Sequence, residues 1–130
     1  MAYRTIIIFF ATLFLLSVSS CIHQQTCDEA KTTFTGLEFE MVLNRWELKG
    51  NYFDLYGKNL KKLTENVEFH NYSLRCFDLI IDKFHKNDII IKKKGEDFIK
   101  IYHGKDHFKF TYICEEKYGE EITKFVQERF

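Results

Sequence analysis

Apolar and polar side chains alternate along most of this chain, and the alternation predicts strands. Leu37, Phe39, Met41 and Leu43 fall on one side of an extended segment, with Glu38 and Glu40 on the other, the period of two that marks a half-buried strand. The same segment also reads at helical spacing through Phe39, Val42, Leu43 and Trp46. In "LKGNYFDLY" a Gly50-Asn51 turn leads into a second strand, with Tyr52 and Asp54 to one side and Phe53 and Leu55 to the other. "ENVEFHN" predicts a short strand, and "SLRCFDLII" (73–81) an apolar one with Phe77, Leu79 and Ile81 on one face. "DIIIKKK", "DFIKIYH" and "HFKFTYIC" are separated by "GED" and "GKD", which are hairpin turn signals. They predict a three-strand antiparallel meander in which Ile99, Ile101 and His103 share a face, as do Phe108, Phe110, Tyr112 and Cys114. Lys92 to Lys94 read as the solvated end of the first of these strands.

The period changes at the tail. In "EEKYGEEITKFVQERF", Tyr118, Ile122, Phe125 and Val126 fall at helical spacing, with Glu early and Lys and Arg late. This predicts an amphipathic helix whose charges suit its dipole and whose apolar face covers the sheet. Seven or eight short candidate strands before it point to a barrel or sandwich rather than a helical bundle.

The N-terminus changes the picture from a domain to a secreted domain. Arg4 is followed by fourteen uncharged residues, "TIIIFFATLFLLSV", and then by small ones. Val18 and Ser20 suit the recognition positions of signal peptidase, so 1–20 reads as a signal peptide and 21–130 as a single secreted, disulfide-stabilised β-rich domain. The apolar run is shorter than the roughly 20 residues a bilayer span needs, so no membrane attachment is expected once the signal is removed. Nineteen basic and nineteen acidic residues balance, and they are interspersed, which gives no reason to expect nucleic acid as a partner. Cys21, Cys27, Cys76 and Cys114 remain after cleavage. An even count in a short secreted chain implies two disulfides in one of three connectivities. Bridges from each N-terminal cysteine to Cys76 or Cys114 close the long loops that restrain an unfolded chain most. Asn71-Tyr72-Ser73 is an N-glycosylation sequon.

An N-terminal signal, Trp46 in "NRWELKGNYFDLY", Gly50 ahead of a Tyr-rich strand, a later cysteine at Cys76, a β-meander and a closing helix together resemble the secreted lipocalins, in particular short divergent members from arthropod saliva. Tyr52 stands where the family's Gly-x-Trp would place its tryptophan, and the family's arginine motif is not identifiable. The resemblance spans about 37 to 126. It implies a mainly β fold, an antiparallel meander forming a small or incomplete lipocalin-like barrel with a C-terminal α-helix. The alternative fold is α+β, with residues 36–48 as a helix packed on an antiparallel sheet, as in a cystatin-like inhibitor. Residues 37–48 discriminate between the two.

The chemistry of an enzyme is not visible. No H-E-x-x-H, G-x-S-x-G, P-loop or dinucleotide fingerprint occurs, so neither catalysis nor a cofactor is expected. His103 and His107 flank a three-residue turn, with His85 or Asp106 as a further candidate ligand. A zinc site asks for three defined ligands, so the turn is expected to be structural and metal-free. Aromatic residues make up 17% of the chain, enough to line a cavity as well as fill a core. The candidate ligand-binding residues are Trp46, Tyr52, Phe53, Phe77, Phe110 and Tyr112, with Asp54 or Asp78 placed to neutralise an amine. The function expected is that of a monomeric, extracellular, non-catalytic protein carrying a small apolar or amine-bearing ligand. The alternative is a protein-interaction module, such as a protease inhibitor or immune-protein binder, with a solid core and no cavity.

Overall fold

Seven strands form one antiparallel sheet, described here with the rest of the molecule from a computed structural model that covers residues 26–50, 52–72 and 79–130. In chain order they are β1 (Phe39–Lys49), β2 (Tyr52–Lys58), β3 (Asn66–Tyr72), β4 (Ile89–Lys92), β5 (Phe98–His103), β6 (Asp106–Lys117) and β7 (Glu120–Arg129). Across the sheet the order is β3-β2-β1-β4-β5-β6-β7, so the sheet is open and β3 and β7 are its edges. The fold is mainly β. One α-helix among the described residues, α1 (Cys27–Thr35), packs on the same face as the core. No helix among them is long and apolar enough to cross a membrane.

Residues 39–49 are strand, which resolves the double reading of that stretch. Phe39, Met41 and Leu43 are buried, as the alternation requires. The register then slips between Leu43 and Arg45, a β-bulge that adds one residue and changes which side chains face the core. Beyond it Trp46 lies opposite Leu55 and Leu48 opposite Phe53. The three-residue step from Leu43 to Trp46 that imitates a helix is therefore the bulge. Gly57 sits opposite Leu43 at this point. A Cβ there would lie 2.3 Å from the Val42 carbonyl oxygen, so only glycine lets the two backbones approach.

The expected C-terminal helix is instead β7, paired with β6 over ten positions from Phe108–Arg129 to Lys117–Glu120. Its apolar residues do not hold one helical stripe. Phe125 faces the core opposite Tyr112, whereas Val126 and Ile122 lie on the other phase. The hairpin turns on Tyr118 and Gly119, both at positive φ (55° and 76°), the requirement of a type I′ turn. Tyrosine is an unusual residue there, which hides the turn in the sequence.

Residues 73–78 of the expected strand 73–81 lie outside the described residues, and its described end is not strand. Leu79 is exposed, Ile80 is buried, and Ile81–Lys83 form a single 3-10 turn. This turn belongs to the crossover between β3 and β4, whose described part presses Ile80 and Phe84 into the core. The Phe84 ring meets Trp46 and Phe53, each at 6.1 Å between centroids.

Helix α1 was not expected, although its start is written in the sequence. Thr26 caps it: the Glu29 amide donates to Thr26 Oγ1, and the Thr26 amide donates to the Glu29 carboxylate, a reciprocal capping box. Cys27, Ala30 and Phe34 form its buried stripe. Phe34 stacks on Tyr112 at 4.8 Å and meets Phe125 edge-on at 5.7 Å. A disulfide from Cys27 to Cys114 fixes the helix to β6. It is one of the long-loop pairings, spanning 87 positions, a closure worth between about 4 and 5 kcal/mol in the chain-entropy picture. Cys21 and Cys76, like the signal segment, lie outside the described residues.

Lys92 departs from the expected solvated strand end. It shares the core phase of β4 with Ile90 and lies fully buried beneath α1. Its ammonium donates to the carbonyls of Leu37 (3.2 Å) and Lys93 (2.7 Å) and lies 5.1 Å from the centre of the Phe34 ring. Burial lowers its pKa below the usual lysine value.

Candidate functional site

The face of the sheet that carries the core is covered in two places, by α1 over β6 and β7 and by the crossover over β1 and β2. Where neither reaches, a half-open recess of about 290 Å³ remains, lined by Asp82, Lys83, His85, Ile101, His103, Phe108, Phe110 and Gln127. Ile101, Phe108 and Phe110 give it an apolar floor, because alternate residues of β5 and β6 face the same way. The polar rim comes from the crossover and from the ends of β5 and β7.

The rim is organised around Asp88. This residue directly precedes β4, and its side chain is 2% exposed. The backbone places it firmly. The Leu43 amide donates to the Asp88 carbonyl and the Asn87 amide to the Leu43 carbonyl, each at 2.7 Å. The Asp88 carboxylate accepts the His85 amide at 2.9 Å through Oδ2. His103 Nδ1 lies 2.5 Å from Oδ1 and His85 Nδ1 3.6 Å from Oδ2. An ionised carboxylate only accepts hydrogen bonds, so the close contact puts a proton on His103 Nδ1. The two imidazoles stand 4.5 Å apart between centroids, each about half exposed.

His103 and His107 do not converge. On β5 and β6, His103 lies opposite Asp106 and His107 opposite Tyr102. Adjacent positions along a strand face opposite ways, so His107 lies on the side away from the core, against Tyr102 (4.8 Å) and Phe130 (5.6 Å). Asp106 pairs with Arg129. The true neighbour of His103 follows from the other hairpin: Ile89 pairs with Tyr102, and one further step of that register sets Asp88 beside His103.

The expected ligand-binding residues are dispersed. Phe110 lines the recess. Phe53 and Tyr112 are packed in the core, and Trp46 is partly buried at its edge. Tyr52 is 51% exposed and lies on the opposite phase of β2 from Phe53. Phe77 and Asp78 fall outside the described residues. Asp54 is on the face away from the core, 2.7 Å from His70 Nδ1, and Glu68 approaches Nε2 at 3.1 Å. Those two carboxylates, Asp54 foremost, raise the His70 pKa above its ordinary value. Asn71 of the sequon is half-buried near the end of edge strand β3.

The chain matches no family model, no curated protein and no solved structure. The site is therefore read from its own geometry.

Proposed function

We propose that this is a secreted, non-catalytic binding protein that takes a small apolar or amine-bearing molecule into the recess at the open end of the sheet. The observation that carries the reading is the recess itself, an apolar floor of Ile101, Phe108 and Phe110 beneath a polar rim. Binding sites for small molecules combine these features. Its volume falls at the lower end of the usual range of about 300–1,000 Å³, which favours a compact ligand over a long acyl chain. Asp82 on the rim offers a carboxylate to an ammonium group. A ligand held in a sheet-lined cavity is also what the lipocalin resemblance implies. Secretion fits the disulfide, which forms and persists in oxidising compartments.

Native mass spectrometry of the secreted protein, followed by challenge with biogenic amines and small apolar fluorophores, tests the proposal. One equivalent of ligand is expected, lost in Gln127→Trp, which fills the recess from an exposed rim position without touching the core. If no molecule travels with the protein and none of the panel binds, the partner-binding alternative replaces this reading.

A further inference from the structure

We propose that His85, Asp88 and His103 form a binding site for a divalent transition-metal ion, with zinc the ion expected from the donor set. One potential ligand atom from each of the three residues lies within 4.8 Å of the others. Two imidazoles and one carboxylate suit zinc and its first-row neighbours rather than magnesium or calcium, which prefer all-oxygen sites. Ligands about 2.1 Å from a tetrahedral zinc stand roughly 3.4 Å apart. His85 Nδ1 and Asp88 Oδ2 already meet that spacing at 3.6 Å. The shorter His103 contact is a hydrogen bond, and the metal takes the place of its proton, which leaves to solvent.

The burial of Asp88 is the second observation pointing to a cation. Its carboxylate is almost wholly removed from water, and its ion-pair neighbours among the described residues are these two histidines. A buried charge is costly unless it is paired or bound to a metal. A carboxylate has about four acceptor positions, and the backbone amide of His85 together with His103 uses two of them. The ligands are also held for the task. Asp88 is pinned to β1 through Leu43, His85 is tied to Asp88 across a tight turn, and His103 ends a paired strand. The imidazoles stay half exposed, so an ion can enter from solvent. Three protein ligands leave a coordination position open, and His85 and His103 are both on the rim of the recess. Metal binding does not depend on the small-ligand reading, since the three ligands are in place whether or not a molecule fills the recess.

The test uses the full-length secreted protein, stripped with a chelator and titrated with zinc chloride by calorimetry, with cobalt absorption as a second readout of nitrogen and oxygen ligation. One ion per chain is expected. His85→Ala and His103→Ala should each weaken binding by at least about tenfold, since loss of even an outer-shell partner costs roughly ten- to hundredfold. His107→Ala, on the opposite face, should bind as the natural chain does. Zinc should raise the thermal midpoint of the natural chain and of His107→Ala, but not of the other two variants. Asp88→Asn keeps the buried shape and should also lose the ion. An absence of zinc uptake by the natural chain, or equal uptake by His85→Ala and His103→Ala, overturns the proposal.

Discussion

The two ends of the core-bearing face are built from different materials. Under α1 the sheet meets a disulfide, a capped helix and the stacked rings of Phe34, Tyr112 and Phe125. Even the charged residue there, Lys92, is anchored on carbonyls. Under the crossover the cover stops short, and the gap is rimmed by His85, His103, Asp82, Lys83 and Gln127 above an apolar floor. One sheet thus carries a closed region that holds the fold and an open region with chemistry to spare. The contrast follows from where the covering elements end, since β5 and β6 present the same alternation to both. Ile99 and Tyr112 lie under cover, and Ile101 and Phe108 line the recess.

The contrast breaks most sharply by truncating one side chain at each end. Phe34→Ala is expected to cost about 3–5 kcal/mol in denaturant unfolding, because it empties a fully buried ring site beneath a tethered helix. Gln127→Ala, on the rim of the recess, should cost less than about 1 kcal/mol, since its side chain is exposed and leaves no sealed cavity. Equal losses would show that the open end supports the fold as much as the covered one does.

Gly57→Ala reaches the open end through the backbone. The new Cβ would strike the Val42 carbonyl beside the bulge, and the bulge carries Leu43, which holds Asn87 and Asp88. A loss of roughly 1–3 kcal/mol is expected, together with weaker binding in the recess. A variant as stable as the natural chain would contradict the close approach.

The smallest effect belongs to the face away from the core. Because Asp54 and Glu68 raise the His70 pKa in the folded protein, the stability from that cluster is fully present below about pH 6.5, the unfolded value. It is lost as pH rises through the raised folded value. An NMR titration of the His70 ring should show this raised midpoint, and Asp54→Asn should bring it down. A midpoint unmoved by Asp54→Asn would remove the assigned cause.

Much of the sheet was legible because a strand's period shows directly in its residues. Phe53 and Leu55 fall opposite Tyr52 and Asp54 as the alternation requires, and β4, β5 and β6 form the expected meander. Where reading failed, a local signal was ambiguous or overlooked. The Leu43-to-Trp46 bulge copied a helical step, and Tyr118 disguised a hairpin turn. The Thr26–Glu29 capping box was present ahead of α1 but had no long apolar stripe behind it to draw attention. The site was harder because it is assembled from three segments. His107 is close to His103 in sequence, but strand phase sends the two to opposite faces. The pairing of His103 with Asp88 follows only from the register of the β4–β5 hairpin, and the approach of His85 only from the crossover. Residues chosen for being aromatic mostly proved to be core, because nothing local separates a ring that fills space from one that lines it.

The most direct test of a binding site at the open end is a chemical-shift map of the side chains, recorded as a ligand from the screen is added. Resonances of Ile101, His103 and Phe108 should shift with saturation at one equivalent, while those of Phe34 and Tyr112 stay in place. Shifts confined to the covered end or to the opposite face around Tyr102 and Phe130 would contradict a ligand site in the recess.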